Sequence, residues 1–260
     1  MAFARNGSVK LHWRADGAGR PLLLLNSVGC DLSLWDGVMP HLADFRVLRM
    51  DMRGHGGSDS PEGEYTLGDL AGDALSVLEA AGEDKTAICG LSLGSMTAMS
   101  LALRVPERVS ALVLACTSAA VDPEIWNARA ATVRRQGMGA IAETVMARFF
   151  TETFRHNHPD VVEDVRAMFL KTDPSGYASC CAAIRDMALL DRIAAIATPT
   201  LVIAGDHDIA TPFYGHGDKI QGRIVGARAA MMPCAHLAPV ELPASFAAQL
   251  KTFLSGERHG

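Results

Sequence analysis

Thr86-Ala87-Ile88-Cys89-Gly90-Leu91-Ser92-Leu93-Gly94 runs an apolar strand pattern straight into G-x-S-x-G, and a helical stretch from Ser95 to Arg104 follows. A pentapeptide of this kind in a strand–turn–helix context forms a nucleophile elbow. Glycines two before and two after the serine suit an abrupt turn, where backbones come so close that side chains would collide. Ser92 then stands at the turn as a nucleophile. Its hydroxyl sits beside the N-terminus of the following helix, whose unpartnered N–H groups, Leu93 N–H first among them, can stabilise an oxyanion.

An activated serine needs a base, and the base needs an orienting acid. Pro199-Thr200-Leu201-Val202-Ile203-Ala204-Gly205 reads as a short buried strand and ends in Asp206-His207-Asp208. Ala227 to Met232 reads as another strand, followed by Pro233-Cys234-Ala235-His236-Leu237 and a helical pattern beginning near Pro239. His236 is the candidate base, because His207 falls at the wrong place in the order. Ser92, an acid at 206–208 and His236 follow one another in the order of α/β-hydrolases, which differs from those of chymotrypsin and subtilisin. The G-x-x-D pattern of that superfamily selects Asp208 over its neighbour Asp206. His156-Asn157-His158 lacks a third ligand at characteristic spacing and reads as a solvated loop, so neither a metal nor another cofactor is expected.

Leu22 to Leu25 is an earlier strand that opens into Asn26-Ser27-Val28-Gly29-Cys30-Asp31. Relatives in this superfamily carry a His-Gly turn at this point, which implies Val28 N–H as the second oxyanion donor. Ser27 reads as a loop hydrogen-bonder rather than a second nucleophile. Asp51-Met52-Arg53-Gly54-His55-Gly56, after the strand Phe45 to Met50, resembles the superfamily's D-x-R-G-x-G turn, and its Asp51, Arg53 and His55 read as structural braces.

Two short strands joined near Asn6-Gly7 precede strands near Leu22, Val47, Ala87, Leu112, Val202 and Ala229, with helical segments between. Such alternation predicts an α/β fold with a mostly parallel eight-stranded sheet and helices on both faces. From Val121 to about Ala195 strands give way to amphipathic patterns such as Asn127 to Arg135 and Val161 to Leu170. The expected organisation is therefore a core of residues 1–120 and 196–260 with a helical cap, 121–195, inserted as part of one folding unit. Caps exclude water and shape the substrate cavity.

Composition excludes several alternatives. Among 260 residues, 49% are hydrophobic and 20% charged, as in a globular protein with a large core. A net charge of -5 offers no broad basic surface for nucleic acid. Met1 to Gly7 reaches a polar turn before an apolar signal region can form, and no run approaches the roughly 20 apolar residues of a membrane span. Six cysteines without C-x-x-C spacing read as reduced thiols of a cytoplasmic protein, with Cys180-Cys181 packing a cap helix. Nothing in the sequence decides whether the chain forms a homo-oligomer.

Longer segments resemble the 3-oxoadipate enol-lactonases of aromatic-compound degradation. They are Asn26 to Asp36, Asp51 to Gly56, Gly90 to Gly94, Ile125-Trp126-Asn127-Ala128-Arg129, Tyr177 to Asp186 and Ala235 to Glu241. Three departures stand out: Ser95 replaces a glycine common after the elbow, Cys116 an asparagine, and Ala238-Pro239 a polar pair. The resemblance implies a serine hydrolase that opens a small anionic lactone carrying a carboxymethyl group. An anionic substrate calls for a cation, and the cap offers Arg129, Arg134, Arg135 and Arg185, among which Arg129 and Arg185 are the candidates for substrate binding. Trp126 either lines the cavity or packs the cap. Other esterases, lactonases, perhydrolases and carbon–carbon hydrolases share the triad, and a ligand receptor can share the fold without turnover.

Overall fold

A computed structural model describes residues 2–256; Met1 and the last four residues of the polar tail lie outside the described residues. Eight strands form one sheet in the order β1-β2-β4-β3-β5-β6-β7-β8. They are β1 Ala2–Asn6, β2 Val9–Asp16, β3 Arg20–Leu25, β4 Phe45–Met50, β5 Thr86–Leu91, β6 Val109–Ala115, β7 Thr200–Gly205 and β8 Arg228–Met232. The β1/β2 and β2/β4 pairs are antiparallel, and every pair from β4 to β8 is parallel. All six residues of β5 and of β7 are buried, as expected for strands covered on both faces, whereas β1 at the edge is partly exposed.

Helix α1, Leu67–Ala81, starts on a capping box in which the Thr66 side chain receives Asp69 N–H while Asp69 receives Thr66 N–H, and it stops at Gly82 in the left-handed conformation. Helix α2, Leu93–Arg104, has ten buried residues and packs between β5, β3 and β6. Between β6 and β7 come five helices and, among the described residues, no strand: α3 Pro123–Gln136, α4 Ala142–Phe149, α5 Glu152–Asn157, α6 Pro159–Leu170 and α7 Pro174–Arg185. Four of them begin with an Asp or Thr cap, a proline in the first turn, or both. The chain ends in α8 Asp218–Arg223, the single turn α9 Ala238–Glu241 and α10 Pro243–Gly256.

One apolar core runs through sheet and helices alike. Leu23, Ile88 and Leu114 belong to the same buried cluster as Phe149, Phe169 and Tyr177. Cys180 and Cys181 are part of that cluster, and all six cysteines are free and buried. No helix among the described residues is long and apolar enough to cross a membrane.

Candidate active site

The turn from β5 into α2 is as tight as the glycine spacing predicts. A Cβ on Gly90 would overlap the backbone of Gly94 and Ser95, and one on Gly94 would overlap the Leu25 carbonyl of β3. Ser92 adopts φ 55, ψ -114, a region costing of order 1–3 kcal/mol, which the surrounding structure must over-determine. It is held there by Ser92 N–H donating to Ala115 O at 2.9 Å and by Thr117 Oγ1 donating to Ser92 O at 2.9 Å. Ser95, one of the departures, tightens the same turn through its hydroxyl, which donates to Gly90 O at 2.7 Å. The Ser92 side chain does not cap α2, so its oxygen is left to the cavity above.

His236 follows β8 on a loop closed by the turn α9. Its Nδ1 donates to Asp208 Oδ2 at 2.8 Å, which leaves Nε2 as the nitrogen able to handle a serine proton. Asp208 lies after β7, 3% exposed, and its second oxygen receives the N–H groups of Ala210 and Thr211 at 2.8 and 3.1 Å. Thr211 Oγ1 donates to Oδ2 at 2.7 Å. Burial opposes ionisation of Asp208, yet the His236 charge and the hydrogen bonds from His236 and Thr211 hold its carboxyl well below the usual carboxylate range. Asp208 is thus an anion, the state that fixes the His236 tautomer. The Phe149 ring stacks on the imidazole at 5.8 Å with planes 11° apart, and Leu237 N–H donates to Phe149 O. The rivals His207 and Asp206 line a different hollow and not the cavity of Ser92 and His236.

Ser92 and His236 share the wall of one cavity of about 340 Å³. Ser27 and Val28 face it from the loop after β3, and α3 and α4 close it with Trp126, Arg129, Arg148 and Phe149. Neither Val28 N–H nor Leu93 N–H donates to an acceptor among the described residues, as an oxyanion site requires. The turn Asp51 to Gly56 braces this loop: Asp51 receives Leu32 N–H at 2.7 Å and Gly57 N–H at 2.8 Å, while His55 Nε2 receives Gly29 N–H at 2.8 Å. Arg53 turns away into a buried bidentate pair with Asp73.

Of the candidate substrate-binding residues, Trp126 and Arg129 reach the cavity, with the Arg129 guanidinium 4.7 Å above the Trp126 ring. The structure does not bring Arg185 there. Its guanidinium is held at the surface by Glu64, Asp186 and Asn127. Sequence reading missed Arg148 and His216, which also line the cavity, and Glu241, which receives Ala235 N–H and Thr151 Oγ1–H and so ties the His236 loop to α5. Arg148 carried a readable signal, a cationic side chain on the strongly amphipathic α4; His216 and Glu241 did not.

Comparison with known proteins shows the family and the fold. The α/β-hydrolase fold family matches residues 20–241. The chain is 34% identical over 232 residues to 3-oxoadipate enol-lactonase 2 of Acinetobacter baylyi, covering 88% of this chain and 86% of that protein. The crystal structure of the enol-lactonase from Burkholderia xenovorans superposes with a TM-score of 0.95 at 36% identity, over 98% of this chain and 100% of that one. A thermophilic esterase from Thermogutta terrifontis, determined with malate bound, gives a TM-score of 0.91 at 30% identity over 96% and 94% of the two chains. With the elbow, the sheet order and these likenesses together, the chain is a hydrolase that belongs to the α/β-hydrolase fold family, in the branch that holds the 3-oxoadipate enol-lactonases.

Proposed function

We propose that this hydrolase opens the ring of 3-oxoadipate enol-lactone to give 3-oxoadipate, a step of aromatic-compound degradation by the β-ketoadipate pathway, in the cytoplasm. The triad is Ser92, His236 and Asp208, and the oxyanion donors are Val28 N–H and Leu93 N–H. Residues 121–195 act as the cap that excludes water and selects substrate, over a core of residues 1–120 and 196–260. The observation that carries the reading is a small, largely apolar cavity in which Ser92 and His236 meet two arginines, Arg129 and Arg148, neither of which joins an ion pair among the described residues.

His236 Nε2 takes the Ser92 proton as Oγ attacks the lactone carbonyl, and the carbonyl electron pair moves onto oxygen between the two N–H groups. Collapse of that intermediate breaks the bond to the ring oxygen, which leaves as an enol on receiving the proton from His236. The leaving enol stays tethered to the acyl chain, so prompt protonation also opposes reclosure. Water activated by the same imidazole then frees the acid, and the enol becomes a ketone. The substrate carboxylate rests on Arg129 or Arg148, whose planar forks match it.

Loss of enol-lactone absorbance in ultraviolet light tests the proposal. Arg129→Ala and Arg148→Ala are expected to raise KM about 10- to 150-fold in at least one case, the loss of a charge-assisted hydrogen bond of roughly 1.5–3 kcal/mol, and Arg185→Ala to leave it unchanged. Unchanged KM in both cavity variants would remove the anion-binding role. A second reading, an esterase of short carboxylic acids, is favoured by the malate-bound relative; faster turnover of neutral aryl esters than of the lactone would replace the first by the second.

A further inference from the structure

Five buried side-chain nitrogen or oxygen atoms have no hydrogen-bond partner among the described residues, and one of them, Ser27 Oγ, belongs to a residue that lines the cavity of Ser92 and His236. A buried hydroxyl without a partner costs roughly 1–3 kcal/mol, so its retention calls for a reason. The sequence reading, a loop hydrogen-bonder, does not hold: the loop is fixed without this hydroxyl. On one side Asn26 accepts Trp35 Nε1–H at 2.7 Å and donates to Met50 O at 2.9 Å. On the other, Gly29 N–H is taken by His55. Within it, Cys30 N–H closes a turn onto Ser27 O at 3.2 Å, a backbone bond indifferent to the side chain. Ser27 therefore offers a donor, 1% exposed, on a rigid loop and directly before the oxyanion donor Val28.

We infer that Ser27 is a further catalytic residue, whose hydroxyl donates to the oxyanion formed at the substrate carbonyl as a third donor beside Val28 N–H and Leu93 N–H. This role rests on the serine-hydrolase reading of the site but not on which ester or lactone enters it. Chemistry favours this assignment over a second nucleophile, because Ser27 lies on a loop without the strained turn that presents Ser92 at the elbow. A free hydroxyl in a largely apolar cavity is also worth more to a developing negative charge than to a neutral carbonyl, so its effect falls on the transition state.

The test compares wild type, Ser27→Ala and Ser27→Cys on the enol-lactone and on p-nitrophenyl acetate, with thermal melting of each. Ser27→Ala is expected to lower kcat about 10- to 100-fold on every substrate the wild type turns over, with KM within about threefold and a melting temperature equal to or above wild type. Ser27→Cys, nearly isosteric with a weak donor, should fall between the two. Retention of kcat within twofold in Ser27→Ala overturns the inference. So does lost activity accompanied by a melting temperature lowered by more than about 3 °C, which would make the hydroxyl structural. If wild type turns over the acetate but not the enol-lactone, the substrate reading fails while the Ser27 comparison on the acetate still decides.

Discussion

Single side chains of the candidate site divide into those with a free end, such as Ser27, and those spent on support, such as His55. His55 supports: Nδ1 donates to Arg53 O at 3.1 Å, Nε2 accepts Gly29 N–H, and so the ring is neutral in the fold. Burial lowers its pKa from the ordinary 6.5, against the opposing pull of the Arg53 carbonyl and of Asp51, Asp31 and Asp173. A depressed histidine is neutral in the folded chain while the unfolded chain has already taken a proton. Its stabilising contribution is therefore complete above pH 6.5 and is lost as pH falls from there to the folded value. Unfolding by urea between pH 5 and 7.5 should accordingly show stability rising with pH, by at most about 1.4 kcal/mol per unit from this group, with a shallower slope in His55→Gln. Equal slopes would show that His55 does not govern the brace.

At the level of elements, the elbow depends on two helix–strand approaches that leave no room for a Cβ. Gly94 is the stricter case, because the atom it would meet is a backbone carbonyl of β3, held in the sheet between β4 and β5 and unable to retreat. Gly94→Ala is expected to destabilise the protein by about 3 kcal/mol and to abolish turnover by displacing Ser92. Gly139→Ala, where the added methyl meets open space, serves as the control and should change stability by less than about 0.5 kcal/mol. Equal denaturation midpoints for the two variants would contradict the packing argument. Ser95 shows the opposite tolerance: its hydroxyl is accommodated in the same tight turn because two carbonyls, Gly90 O and Ala115 O, lie ready to receive it.

Across the whole molecule, the helices between β6 and β7 are bound to the sheet by a shared interior rather than by a linker. Phe169 and Tyr177 pack edge to face 5.7 Å apart in the same cluster as the strands, and Thr151 and Leu237 tie that insertion to the His236 loop. Calorimetry should therefore record one transition, with van't Hoff and calorimetric enthalpies equal; two separated peaks would mean that the insertion melts by itself. Strand runs and the strand–turn–helix around Ser92 were legible in the sequence, because each is written in a local pattern: period, punctuation and motif order. What a side chain does with its free end was not. Arg185 is spent on Glu64, 121 residues away, His216 receives its place from Ser118, 98 away, and Glu241 binds Thr151, 90 away. The hydroxyl of Ser27 has no partner among the described residues, while Asn26 before it bonds Trp35 and Met50 and Gly29 beyond it bonds His55. The sequence by itself thus determined the fold and the chain order of the candidate triad, since short-range sterics and burial act on adjacent residues. Only the tertiary structure decided which charges stay free to meet a substrate, because pairing depends on distances set by the folded sheet and not by the chain.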